Sequence, residues 1–190
     1  TNSSHSGIPV MWTLSEPYGG KDWWPCKNGL NDKADSIDIS ITTPDKYTSS
    51  SNGLLTKEVL AGGKRTTYWK HRYPIVSYLV AFTLSNYEQY TDTAMLSNGP
   101  LPILNYVYPQ NLTNAKIQTK AVIPILKLYE SLAGPYPFAN EKYGHAQFGW
   151  GGGMEHTTVS SMFNFSRDLI AHEMAHQWFG DKITCGTWKD

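Results

Sequence analysis

A chain of 190 residues can form one sizeable domain or two small ones, and 40% hydrophobic with 17% charged residues is the composition of a protein that buries a core, which excludes disorder. Sixteen basic residues balance sixteen acidic ones, and no cluster of Lys or Arg forms a phosphate-tracking stripe, which speaks against nucleic acid as a partner. The longest apolar stretch, residues 75–84, is interrupted by Ser77 and Thr83 and is about half the roughly 20 residues that a membrane span needs.

The first part of the chain reads as strands. It opens on Thr1 without a signal-peptide pattern, so neither a cytoplasmic nor a secreted compartment is indicated. Cys26 and Cys185 are too few and too far apart for a disulfide framework or a zinc knuckle, and read as free thiols. Residues 36–43 alternate, with Ile37, Ile39 and Ile41 on one face and Asp38, Ser40 and Thr42 on the other, which predicts a half-solvated strand. Residues 53–60 and 64–71 flank Ala61-Gly62-Gly63, a loop tolerant of positive φ, and should form a hairpin. The run 75–84, rich in Val, Tyr and Phe, predicts a more buried strand. Trp23, Trp24 and Trp69 read as core packing.

The texture then changes. Residues 90–102 carry Thr, Asn, Gly, Pro100 and Pro102 and read as a loop or linker, which puts a domain boundary near residue 90. Between 112 and 133, Ala115, Ile123, Leu126, Tyr129 and Leu132 recur at helical spacing; Pro124 should kink or divide that helix, and Gly134-Pro135 should end it. Residues 142–148 and 155–163 suit strands. Ser166 offers a cap and Asp168 an acidic first turn for a helix over 168–179.

That last helix carries His172-Glu173-Met174-Ala175-His176. On a helix, residues four apart differ by about 40° in direction and about 6 Å in rise, so both imidazoles reach one ion. Zinc lowers the pKa of a water it binds towards about 7, and Glu173, beside the first ligand, is placed to take that water's proton as general base. A catalytic zinc site has three protein ligands and an open position. Here only His172 and His176 have a telling spacing; His145, His156, Asp181 and Asp190 are conceivable third ligands without one.

Upstream, Gly151-Gly152-Gly153 precedes Met154-Glu155. A backbone without side chains lets an extended peptide approach and pair as an added strand. Glu155 at the end of that track suits a substrate ammonium, and an N-terminus held at a fixed distance from zinc leaves room for one residue. The plainer reading of the glycines is a flexible connection, and of Glu155 a solvated charge.

With those stretches in view, the sequence resembles the zinc aminopeptidase family that includes aminopeptidase N and leukotriene hydrolase. "GGMEH" at 152–156 resembles the family's Gly-x-Met-Glu-Asn exopeptidase motif, and "HEMAHQWFGD" at 172–181 its His-Glu-x-x-His-x-Trp helix. "YPFANEKYGHAQFGW" resembles the segment before them, and "TLSEP", "WWPCKN" and "YLVAF" the later part of its N-terminal β-domain. The resemblance implies an α+β fold: the later part of a β-sandwich-like domain over 1–90, then the first part of a thermolysin-like zinc peptidase domain over 91–190.

It further implies one catalytic Zn2+ on His172 and His176, Glu173 as general base, and Gly152, Gly153, Met154, Glu155 and His156 as substrate-binding residues, with Glu155 on the α-amino group. Glu16, in "TLSEP", stands where family members offer a second amine-binding group. His156 replaces the motif's Asn, and would titrate near neutral pH if accessible. The family's third ligand, a Glu, and its catalytic Tyr fall past Asp190, so the 190 residues alone are expected to be inactive and the peptidase activity to belong to a longer protein. The substrate class implied is a peptide with a free N-terminus. The rival readings are a zinc endopeptidase, which needs no amine anchor, and a noncatalytic peptide-binding module.

Overall fold

The computed structural model describes residues 1–189; Asp190, one of the conceivable ligands, lies outside them. Two strands open the chain, β1 (Asn2–His5) and β2 (Ile8–Trp12), joined through Ser6 and Gly7, both at positive φ. There follow β3 (Ile37–Pro44), β4 (Thr48–Ser51), β5 (Leu54–Ala61), β6 (Lys64–His71) and β7 (Phe82–Ser85). They build a four-stranded sheet in the order β1-β2-β7-β4 and a three-stranded one in the order β3-β6-β5. The alternation of β3 turns Ile37, Ile39 and Ile41 onto a core that also holds Val10, Trp12 and Trp69, and Gly62 and Gly63 take positive φ in the β5–β6 hairpin, as expected.

The rest of the chain forms a mixed five-stranded sheet with helices. In chain order these are β8 (Glu88–Leu96), β9 (Gly99–Val107), α1 (Leu112–Gln118), α2 (Val122–Ala133), β10 (Tyr143–Gln147), β11 (Gly153–Met154), β12 (Ser160–Met162) and α3 (Arg167–Ala175). The sheet order is β11-β12-β10-β9-β8, with β10 parallel to both β9 and β12 and antiparallel strands at the two edges. The β9–β10 pair is parallel and therefore needs a crossover, which α1 and α2 supply. A second core, with Ile103, Leu126, Phe138, Tyr143, Ile170 and Met174, lies between the helices and this sheet. The architecture is α+β, and no helix among the described residues is long and apolar enough to cross a membrane.

Four expectations are corrected. Residues 90–102 are not a linker: they lie in the β8–β9 hairpin, with Pro100 opposite Met95 and Pro102 opposite Thr93. Both prolines sit on the part of β9 that β10 does not reach, since β10 pairs only Ile103 to Tyr106, so the missing N–H groups cost no ladder bond on that side. The run 75–84 is buried but not one strand. Ser77–Leu79 turn as a 3-10 segment, and the Asn52 amide, bonded to the Leu79 carbonyl and the Ala81 N–H, takes the place of a partner strand. A continuous apolar run specifies burial without specifying its period.

The third correction concerns 155–163, of which only β12 is a strand; residues 155–159 are the turn that joins it to β11. Last, α3 ends at Ala175 rather than Phe179, because the bonds that follow tighten to three residues: Gln177 N–H reaches Met174 O and Trp178 N–H reaches Ala175 O, both at 3.1 Å. The expected division of the middle helix is present. Residues Thr119–Ala121 separate α1 from α2, and Pro124 falls in the first turn of α2, where N–H groups have no intrahelical partner.

One buried amine ties the two sheet systems together. Lys142, before β10, donates to Ser51 O at 3.0 Å, to Gly53 O and to Thr158 Oγ1 at 3.2 Å, with its Nζ 5.6 Å from the Trp69 ring centre. Burial lowers this amine to about 7, the charge of Glu141 opposing in part. Below about pH 7 folded and unfolded chains both carry the proton and the full cost of burying it is felt. Between there and the ordinary value of 10.5 the unfolded chain holds the extra proton, so stability rises with pH, by at most about 1.4 kcal/mol per pH unit. Lys142→Met should flatten that rise. Urea unfolding of both proteins at pH 7 and pH 9 checks it, and an equal gain in the variant would contradict the assignment.

Candidate active site

The Ser166 hydroxyl caps α3 by accepting the Leu169 N–H at 3.4 Å, and Asp168 occupies the first turn. Ile170 and Met174 are fully buried in the second core, and each such side chain contributes roughly 1.5–3 kcal/mol through its burial. Two residues further round the helix, His172 and His176 project on the opposite side. His176 follows the last helical residue yet keeps helical angles, φ −61° and ψ −23°, so the four-residue spacing still places the rings together. Their Nε2 atoms are 3.3 Å apart. The Nδ1 of His176 lies 3.0 Å from the Phe179 carbonyl, and as that carbonyl only accepts, the proton is on Nδ1 and the Nε2 lone pair is free.

Two convergent imidazole nitrogens, one with its tautomer set from behind, suit zinc. Among the described residues no group of three His, Cys, Asp or Glu could hold a metal ion. The conceivable third ligands among the described residues therefore fail. His145 is buried against Asn105 at 2.8 Å, His156 is buried against Ser161 at 2.9 Å, and Asp181 accepts from Gln177 at 3.0 Å.

Glu173, between the two histidines in sequence, is buried against Gly153. A Cβ on Gly153 would overlap the Glu173 carboxylate, with Cγ only 2.7 Å away. Burial first, then the charges of Glu155 and Glu16, raises the Glu173 carboxyl to about 8. Glu16 is raised as well, by desolvation and by Glu155, while His176 lowers it. Thus three carboxylates from distant segments, Glu16, Glu155 and Glu173, act on one another beside the histidine pair. Such a cluster of negative charge suits cations, a metal ion and an ammonium among them.

The segment that carries Glu155 is an edge. β11 pairs only with β12, Gly153 opposite Met162 and Met154 opposite Ser161, and its other side is open. Gly152 O accepts the Phe163 N–H at 2.8 Å, so the track is held from one side only. The Met154 side chain is buried in the first core, which leaves its backbone as the part that can face a peptide. His156 is inaccessible, and desolvation lowers it to about 3; titration near neutral pH is excluded. Cys26 and Cys185 are free thiols.

Two residues that the sequence does not single out belong here. The Tyr78 hydroxyl donates to Glu155 Oε1 at 3.4 Å, and burial followed by the charge of Glu155 raises its pKa. Gln177, immediately after His176, donates to the Glu155 carbonyl at 3.3 Å. Tyr78 is hidden in an apolar run, and Gln177 has only its place beside a ligand to mark it.

Residues 153–190 match the Peptidase family M1 domain. Over 95% of its length the chain is 30% identical to human glutamyl aminopeptidase, and over 94% it is 26% identical to human endoplasmic reticulum aminopeptidase 1. It spans about a fifth of those proteins, 20% of each. The whole chain also superposes on 44% of the crystal structure of an M1 zinc metallopeptidase from Deinococcus radiodurans, with a TM-score of 0.82 and 23% identity, a likeness of fold. A structure of that kind described as bound to a Tyr-Ser-Ala substrate matches with a TM-score of 0.81. The motif-bearing segment 153–190 thus matches the M1 peptidase domain, nearly the whole chain is similar to part of the aminopeptidases named, and its fold is that of solved M1 zinc metallopeptidases.

Proposed function

We propose that the protein containing this chain is a zinc aminopeptidase that removes single residues from the free N-terminus of peptides. The observation that carries this reading is the convergence of the His172 and His176 Nε2 atoms beside Glu173, with Glu155 at the end of the open edge β11. His172 and His176 would hold the zinc, with a further ligand from outside the described residues. Zinc bound there would polarise the scissile carbonyl and acidify water. The chain's own residues do the rest. The β11 backbone pairs with the extended substrate, and Glu155 and Glu16 bind its α-ammonium. Glu173 takes a proton from the attacking water as the water oxygen joins the carbonyl carbon, and returns a proton to the leaving nitrogen as the C–N bond breaks. Residues 1–90 then belong to an N-terminal β-domain and 91–190 to the opening of the catalytic domain, a reading supported by the sheets of β1 to β7, which share no strand with the sheet of β8 to β12.

The test uses the natural full-length protein with matched free and N-acetylated peptides. Free-amine peptides should be trimmed and acetylated ones ignored; internal cleavage of both would make it an endopeptidase, and chelator-insensitive binding without cleavage a peptide-binding module. Glu155→Ala should raise KM for free-amine peptides by about tenfold or more, since a charge-assisted contact is worth roughly 1.5–3 kcal/mol. An unchanged KM would remove Glu155 from the site.

A further inference from the structure

Gln177 is fully buried, and its amide makes every bond that an amide can make. Nε2 donates to Glu155 O at 3.3 Å and to Asp181 Oδ2 at 3.0 Å; Oε1 accepts the Thr158 N–H at 2.9 Å and the Tyr136 hydroxyl at 3.2 Å. Two of those four partners, Glu155 and Thr158, bound the turn that leads away from β11. The residue before Gln177 is His176. One side chain therefore spans from the backbone of the histidine pair to the backbone of the carboxylate at the end of the open edge.

The turn it grips is not relaxed. Thr158 has φ +68°, a left-handed conformation in which a β-branched residue is an outlier. Such a conformation persists only where its surroundings over-determine it. Here they do: besides the bond to Gln177, Thr158 Oγ1 accepts the Gly53 N–H at 2.8 Å and Lys142 Nζ at 3.2 Å. Glu155 O is gripped by Gln177, Thr158 by three groups, and the Val159 N–H closes on His156 O at 2.9 Å. Without the amide, Glu155 O and the Thr158 N–H lose the partner they share, and a turn already at an unfavourable φ keeps one restraint fewer.

We propose that Gln177 is a positioning residue that fixes the separation between the Glu155 carboxylate and the His172/His176 pair, and so sets how well an N-terminal ammonium and its scissile bond fit at once. The inference rests on the reading of Glu155 as amine anchor. It does not require Gln177 to touch substrate.

Gln177→Met keeps the volume and removes all four bonds. In the full-length protein it should raise KM for free-amine peptides, and Ki for L-alaninamide as a competitor with an ammonium and no scissile peptide bond, by about tenfold, while zinc content stays that of the parent. The free-to-acetylated preference should fall in step. Gln177→Asn, whose amide is one methylene too short to reach Glu155 O and the Thr158 N–H at once, should move KM and Ki the same way and serves if Gln177→Met does not fold. A purely structural role would lower kcat for every substrate with KM and Ki unchanged, and that result would overturn the proposal. A parent protein that cleaves acetylated peptides as readily as free ones would instead overturn the aminopeptidase reading, whatever the variants do.

Discussion

Glu173→Gln in the full-length protein is expected to lower kcat by about 10²–10⁴-fold while KM and zinc content remain close to those of the parent. The substitution is nearly isosteric, so the packing against Gly153 survives. What is lost is the basic oxygen. Glu173 Oε2 is buried and has no hydrogen-bond partner among the described residues, which leaves its lone pairs for a water or a substrate group. The two histidines do not depend on it: the His176 tautomer is set by Phe179 O and the ring pair by the helix. Steady-state kinetics with metal analysis decides the matter. A variant that keeps kcat within about tenfold would show that another group accepts the proton.

Gly153→Ala should be nearly as damaging for a different reason. Gly153 does not have the left-handed φ that excludes side chains; the obstacle is space, because the added methyl would overlap the Glu173 carboxylate, Cδ and Oε1 included. Either Glu173 swings out of its buried position or β11 shifts away from α3. Both disturb the base and the peptide track together, and kcat/KM should fall by about 100-fold or more, the scale of misplacing a catalytic group. Forcing an extra carbon into a packed site costs about 1–3 kcal/mol of stability. A double-mutant cycle identifies the cause. In a Glu173→Ala background, where the carboxylate is gone, Gly153→Ala should cost little further stability, and an undiminished cost there would locate the clash elsewhere.

How much of this could be read from residues alone follows from how local each feature is. His172 and His176 meet because of helical geometry over four residues, and the Ser166 cap and the Pro124 division are equally local, so the spacing carries them. The β3 alternation and the Gly62-Gly63 hairpin are legible for the same reason. The β8–β9 hairpin was not, because Pro100 and Pro102 are compatible with a strand only when the neighbour on one side is absent, and that depends on where β10 ends. Glu16 and Glu155 reach the histidine helix through tertiary packing; the resemblance brings them forward, whereas no periodicity does. Tyr78 and Gln177 act through single contacts with Glu155 and stay invisible until the chain is folded. His156 shows the reverse error: its type suggests a titrating group, and complete burial cancels that.

The shortness of β11 has a consequence for solubility. Open sheet edges invite neighbouring molecules to add strands, and proteins protect themselves by keeping such edges short, bulged or charged. β11 offers Gly153 and Met154 only, flanked by Gly151 and Gly152 on one side and by a turn on the other. Two residues of ladder are too little to template a second sheet. The shortness that the proposed peptide track shares therefore also guards against self-association at this edge.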